Sequence, residues 1–557
     1  MKRYGPAILL LMALVLVPVC CHAAGLSDLR VSCSQAESMD DVRSVSWYTQ
    51  PSGRNERYIF LPAEADASDL RIWLKGAESV TVDGVEVRSG DAIALVPGTT
   101  VKVASGKKTY NAHVMQAGQQ GSVYLALESG TLTKVDREQV VNGTALVVGA
   151  DGNVYTDQAM PSFRMRGNGS AYMVKKSYQM KLESKADLFG MGKSKTWLLI
   201  SNYKDWSNVR NMLVYEMARY AGLAYTPECV YVNVYIDHEY RGLYLLSEKL
   251  QVSSSRIDLD DLQKEMEEVN SEPLSSYPTV EQTHLAAAGK GRWQDIPNDP
   301  EDITGTYLMK IELNKRFSYR KYLDEPAYST KRKISFLFKE PKYMSKTEYT
   351  YITSLLQSLE DAIFADDGVD PTTGKHYTEI ADFDSLVLKY MLEEVSANYD
   401  GSLCSQYFYK PKDSVSEKIY AGPAWDYDSS WGAYLPNGQS KKMMNSLFVA
   451  GEKHYAWWAA LYRRSEFAAA VKEKWKTTYS HAMAIILGEE KDPTGTLQSI
   501  DELVEEIAAS NEMDYIKWPY HRTSGNKCYG GKEFSDNLNY LRQIVTMRRD
   551  YLKSVWE

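Results

Sequence analysis

Two segments of the chain place acids beside turn residues in the order that a phosphotransfer site uses. Asn398-Tyr399-Asp400-Gly401-Ser402 follows a helical pattern and precedes the strand-like Tyr407-Phe408-Tyr409. Further on comes Gly422-Pro423-Ala424-Trp425-Asp426-Tyr427-Asp428. One carboxylate of such a pair can orient or deprotonate an acceptor hydroxyl. The other can hold Mg²⁺ against phosphates, because Mg²⁺ takes a few hard oxygen ligands. Residues i and i+2 of a strand share a face, so Asp426 and Asp428 are expected to share a cation. Calcium binding or turn capping would use the same two acids. Cys404 has no partner base in view and reads as a packing residue.

A second candidate lies upstream. Arg164-Met165-Arg166-Gly167-Asn168-Gly169-Ser170 puts two glycines around Asn168, with Lys175-Lys176 following and Lys181 in the strand-like Tyr178-Gln179-Met180-Lys181-Leu182. A small-residue turn lets backbone amides approach phosphate oxygens, and a nearby lysine can neutralise them. By itself such a turn is more often only a turn. Next, Trp197 to Asn202 leads through Asp205 to Val209-Arg210-Asn211, where a helix opens with Ser207 as the expected N-cap. A hairpin then turns at Asp237-His238-Glu239 and runs from Gly242 to Leu250. Glu248 ends that strand, as a hinge acid or as half of an ion pair.

The elements that must position these residues form an α+β arrangement. Residues 25–118 read as β, with Tyr58 to Leu61, Leu70 to Leu74 and Val80 to Val82 punctuated by Asp83-Gly84 and Ser89-Gly90. Asp-Gly between such runs signals a hairpin, and the spacing suggests a small Ig-like β-sandwich, a spacer or attachment module. From about 119 to 557 strands mix with helices, expected at Ser207–Tyr220, Ser354–Ile363, Phe383–Ala397, Phe467–Ile486, Leu497–Ser510 and Ser535–Trp556. The polar stretch around 263–302 reads as a surface insertion.

The chain opens with Lys2-Arg3, an apolar run from Ala7 to about Val19 and Cys21-His22-Ala23-Ala24, a signal-peptide pattern over residues 1–24. Export to the periplasm, cell surface or medium is expected. Lipoprotein anchoring is the lesser alternative, since Val17-Pro18-Val19 before Cys20 is a poor lipidation context. No later segment is long and apolar enough to span a bilayer. The 557 residues carry a formal net charge of -9, which supplies no basic surface for nucleic acid. The cysteines beyond the leader, Cys33, Cys229, Cys404 and Cys528, match no zinc spacing. The 40 tyrosines and Tyr455-Ala456-Trp457-Trp458 leave room for a glycan-stacking surface, though helix core is the simpler reading.

Four ordered segments together resemble the CotH kinase family: Arg166-Gly167-Asn168 through Tyr178 to Leu182; Trp197 to Asn202 with Asp205 and Arg210-Asn211; Gly242-Leu243-Tyr244 with Glu248-Lys249; and Trp425-Asp426-Tyr427-Asp428 with Trp431-Gly432. The similarity covers roughly residues 120 to 557. It implies an atypical protein-kinase-like fold that transfers phosphate from ATP, with Mg²⁺ or Mn²⁺, to serines of extracytoplasmic proteins. It also implies Asp400 as the catalytic-loop acid and Asp426 as the metal-binding acid, with Asp428 beside it. Lys181 would be the phosphate-contacting lysine and Glu248 would stand at the hinge. Arg166, Asn168 and Lys176 would contact the nucleotide. Two departures stand out. Gly169-Ser170-Ala171 replace the family's Ser-Thr-Trp, and Ser405 and Gln406 stand where a kinase-like site has an asparagine as second metal ligand. Nucleotidyl transfer would need the same acids. A non-catalytic kinase-like scaffold of the cell envelope would not.

Overall fold

The computed structural model describes residues 26–51, 53–284, 289–313, 324–402, 404–433, 440–451, 456–518, 531 and 533–557. The signal-peptide pattern, Cys528 and Tyr455 lie outside the described residues. The protein mixes helices and sheets, with a sheet-rich N-terminal region followed by a larger α+β region.

The N-terminal region holds a four-stranded sheet around Asp28–Cys33 and Leu70–Lys75 and a six-stranded sheet around Glu56–Leu61, Lys108–Gln116 and Thr100–Ser105. Alternating apolar residues from both, among them Leu29, Val31, Ile59, Leu61, Ile72, Val103 and Val114, form one buried cluster. The Asp83-Gly84 hairpin forms as expected between Ser79–Val82 and Val85–Arg88, with Val82 opposite Val85. Both turn residues have positive φ, 47° and 90°, the two-residue turn whose twist matches that of the strands.

Next in the chain is a closed seven-stranded barrel, built from Gly121–Leu127, Val141–Val148, Val154–Arg166, Ser177–Asp187, Lys193–Ile200, Glu239–Glu248 and Cys229–Ile236. Gly121–Leu127 closes it by pairing parallel to Cys229–Ile236. Its interior is filled by Val123, Phe163, Met180, Trp197, Leu199, Val234 and Leu246. Full burial of one such aromatic is worth roughly 2–3 kcal/mol.

A seven-stranded antiparallel sheet follows, with Tyr307–Ile311 between Ser335–Glu340 and Tyr407–Lys410. The largest apolar cluster joins this sheet to the helices, including Leu213, Met309, Phe336, Ile352, Tyr390, Phe408, Trp431 and Trp475. Lys346–Phe364 is a full helix from a Ser345–Glu348 capping box, longer than the expected Ser354–Ile363. The expected Phe467–Ile486 helix is Ser465–Lys474, a π-turn Trp475–Tyr479 and Ser480–Ile486. The stretch around 263–302, expected as a surface insertion, carries secondary structure of its own among the described residues. Leu262–Val269 is helical, Thr279–His284 pairs with Gly289–Gln294, and Met266, Leu274, Trp293 and Ile296 are buried. Apolar side chains placed every few residues in a polar stretch are enough to dock it.

Candidate functional site

The two acid-bearing loops lie side by side because hydrogen bonds to backbone carbonyls stitch them together. Helix Phe383–Ser396 ends at Ala397, whose φ of 45° turns the chain sharply into the short turn Asp400–Ser402. Trp431 N–H donates to the Ser396 carbonyl (2.8 Å), Trp431 Nε1 to the Val395 carbonyl (3.0 Å) and Asn398 Nδ2 to the Asp426 carbonyl (3.3 Å). A Cβ on Gly401 would sit 2.6 Å from Glu393 Oε2, so the Asp400 turn packs directly on the buried Glu393. Glu393 Oε1 in turn accepts from Lys389 Nζ (2.7 Å) and Tyr427 Oη (2.5 Å). Tyr427, between the two acids of its loop, is therefore an anchor.

Asp426 and Asp428 do not lie on a strand. Asp426 has φ 67°, and its amide donates to Tyr215 Oη (3.1 Å) while Ser405 Oγ donates to its Oδ2 (3.3 Å). The electrostatic interaction of Asp426 with Asp428 arises within this left-handed turn, not from strand alternation. Asp428 is buried, and burial pushes its carboxyl above the usual carboxylate range; Lys204 counters this, whereas Asp426 and Asp400 add to it. Lys204 is held above its ordinary value chiefly by Asp428, with Asp400 and Asp426 contributing. Three acids and one ammonium thus share a single field.

Lys204 also links the acids to the glycine turn. A Cβ on Gly169 would lie 3.8 Å from Lys204 Nζ, so the turn backbone runs over the ammonium. Gly167 has φ 93°, and a Cβ there would overlap Ser170 Oγ, so a larger residue would strain the turn. Arg166 lies nearby, its guanidinium 5.4 Å from the Trp425 ring centre.

The polar run between Asn202 and Asn211 is a clamp. Asp205 Oδ2 accepts from the Arg210 amide (2.8 Å) and its Oδ1 from Ser207 N–H (3.0 Å). Val209 stands at the N-cap of helix Arg210–Tyr220 and Asp205 takes the first helical amide from outside; Ser207, the expected cap, instead donates its hydroxyl to Asp205. Arg210 pairs with Asp205 at 2.5 Å and sends Nε to the Ser430 carbonyl (2.9 Å). Asn211 Oδ1 accepts from the Tyr427 amide (2.8 Å). Helix start and acid loop are locked together.

Several sequence candidates stand elsewhere. Lys181 is exposed, because Tyr178, Met180 and Leu182 of its strand fill the barrel and alternation turns it outward. Lys176 Nζ donates to the Ala171 and Met173 carbonyls (2.8 and 3.1 Å) and closes the glycine turn. Lys175 is wholly buried against Asp514 (2.7 Å). Glu248 pairs with Arg256 (2.6 Å), and burial pushes its carboxyl up to about 7; it is the ion-pair acid. Gln406 is no ligand: its Nε2 donates to the Gly401 carbonyl (3.1 Å) and its Oε1 accepts from Trp458 Nε1 (3.3 Å), so it braces the Asp400 turn from behind. Trp457 and Trp458 are core. Asn168 is half-buried in the glycine turn. Lys204 was missed because it stands in a turn, not in a strand. Its place between Asn202 and Asp205, inside an ordered motif, was the available signal.

Asp426, Asp428 and Ser405 offer hard oxygens, the donor type that suits Mg²⁺ or Mn²⁺. Among the described residues no three His, Cys, Asp or Glu side chains gather closely enough to hold a metal by themselves. Two carboxylates with the rest supplied by phosphate and water is the usual Mg²⁺ arrangement at nucleotide sites. The excess of acid over Lys204 is the structural reason a cation would be welcome.

Residues 163–552 match the family model described as CotH kinase protein. The match spans most of the chain and includes Arg166, Lys204, Arg210, Asp400, Ser405, Asp426 and Asp428, so the protein belongs to the CotH family. The first two barrel strands precede the matched segment yet close the same barrel. A search of curated proteins finds no match. Among the described residues no helix is long and apolar enough to cross a membrane.

Proposed function

We propose that this protein is an exported phosphotransferase that moves phosphate from ATP to a hydroxyl of an extracytoplasmic protein, on an atypical kinase-like frame carrying an Ig-like N-terminal module. The observation that carries the reading is the placement of Lys204 between the glycine turn at Gly169 and the acids Asp400, Asp426 and Asp428. In this reading Asp426 and Asp428, with Ser405 beside them, would hold the divalent cation, which would supply charge neutralisation for the phosphates. Lys204, Arg166 and the amides around Asn168 receive the phosphates. Asp400 orients the acceptor hydroxyl and takes its proton. The Asp205–Arg210 clamp and the Glu393–Tyr427 bond keep both loops in place without touching substrate.

The test is a thermal melt of the chain with ATP alone and with Mg²⁺ or Mn²⁺, beside Asp426→Ala. A metal-dependent rise in Tm that the variant loses supports the reading. No rise with any nucleotide–metal pair in a folded sample would leave the family fold as a binding scaffold.

A further inference from the structure

The N-terminal sheets and the barrel meet along a seam. Ser46 N–H donates to the His238 carbonyl (2.9 Å), and Phe60 packs on Tyr240 at 4.8 Å between ring centres. Tyr48 Oη donates to the Lys517 carbonyl (3.3 Å). Beside these contacts the seam opens into a cleft of about 330 Å³, lined by Asp28, Ser46, Tyr48, Thr49, Glu239 and Lys517 among others. That size is at the lower end for small-molecule sites.

Lys517, at the end of helix Ile500–Lys517, is only 9% exposed. Among the described residues its ammonium meets no carboxylate or hydrogen-bond acceptor; the partner found is the face of Tyr48, 4.1 Å from the ring centre. Buried ammonium groups are ordinarily paired. The acids lining the cleft are already engaged: Asp28 with Arg30 (3.1 Å) and with Ser46 Oγ (3.0 Å), Glu239 with Arg241 (2.8 Å). Of the charged groups lining the cleft, Asp28, Glu239 and Lys517, the Lys517 ammonium is the one without an ion-pair partner among the described residues. Burial, with Arg241 adding to it, lowers Lys517 to about 8, and Glu239 offsets part of this.

We propose that this cleft binds a small hydroxylated organic monoanion, of which a sugar acid is the fitting class, with its carboxylate on Lys517. The Asp28 and Glu239 carboxylates and the Ser46 and Thr49 hydroxyls supply partners for ligand hydroxyls, and Tyr48 supplies a flat apolar face. The ligand bridges the two regions, so it also tightens the seam. This site is separate from the acid cluster and does not depend on the phosphotransfer reading.

The experiment is calorimetric titration of the full chain with sodium glucuronate, acetate and inorganic phosphate, on wild type, Lys517→Met and Lys517→Arg. The expected result is saturable glucuronate binding, weakened at least tenfold in Lys517→Met and weakened less in Lys517→Arg. Should Lys517→Met fail to fold, Thr49→Trp, at an exposed lining position, must abolish binding by filling the cleft. Absence of saturable glucuronate binding, or equal affinity in Lys517→Met, overturns the site. Acetate or phosphate binding as tightly as glucuronate overturns the hydroxylated-ligand assignment.

Discussion

Asp428→Asn is predicted to act in opposite directions with and without ligand. In the free protein Asp428 is a buried acid in a field shared with Asp426 and Asp400, with Lys204 as the opposing cation. Asparagine keeps the shape and removes one negative charge, while Lys204 still faces two acids. Relief of a buried, imperfectly compensated polar group is worth on the order of 1–3 kcal/mol. At roughly 1 °C per kcal/mol for a chain of this size, the variant should melt about 1–3 °C higher than wild type at neutral pH. With ATP and Mg²⁺ at about a hundred times Kd, wild type should gain about 2.7 kcal/mol, a rise of about 2–3 °C. The variant, having lost an anionic metal ligand, should gain little. Differential scanning fluorimetry at matched pH and salt reads all four values. A variant that melts below wild type without ligand would show that Asp428 is a stabilising partner of Lys204 and not a surplus acid. A variant that keeps the full ligand shift would remove Asp428 from the metal site.

Arg210→Met should destabilise the fold by about 3–5 kcal/mol, because it leaves Asp205 charged in the interior; a Tm close to that of wild type would refute the clamp. Lys204→Met should abolish the ATP-dependent melting shift, whereas Lys181→Met, altering an exposed barrel position, should leave it intact. Gly167→Ala should weaken nucleotide binding at least tenfold by calorimetry, since its φ of 93° and the nearby Ser170 hydroxyl exclude a Cβ. Burial pushes Glu348 up to about 8, and Glu216 and Glu340 up to about 7, from an unperturbed 4.5. Over that interval the folded state holds protons that the unfolded chain has lost, so stability falls as pH rises from about 4.5 to 8. Glu348→Gln should flatten that fall by about 1–4 kcal/mol in urea melts at pH 5 and pH 8; equal pH slopes would refute it.

The residue types and their order were legible without coordinates. Asp83-Gly84 specified its hairpin because only such residues accept two successive positive φ values. The run of apolar residues through Phe383–Ser396 specified a buried helix, and four ordered motifs specified the family. Which side chains meet was not legible, because that depends on turns and on distant contacts. Lys181 looked well placed from its basic charge in a strand, but its apolar strand neighbours claimed the barrel interior and alternation sent it outward. Gln406 looked like a ligand from its distance to Asp400, yet Trp458, more than fifty residues later in the chain, takes its oxygen. Lys204 and Asp428 meet only because the Asp205–Arg210 clamp docks one loop on another across the fold, and Lys517 faces its cleft only because the N-terminal sheets and the barrel meet there. Local chemistry is written in the order of residues; the charges that share a field are chosen by packing.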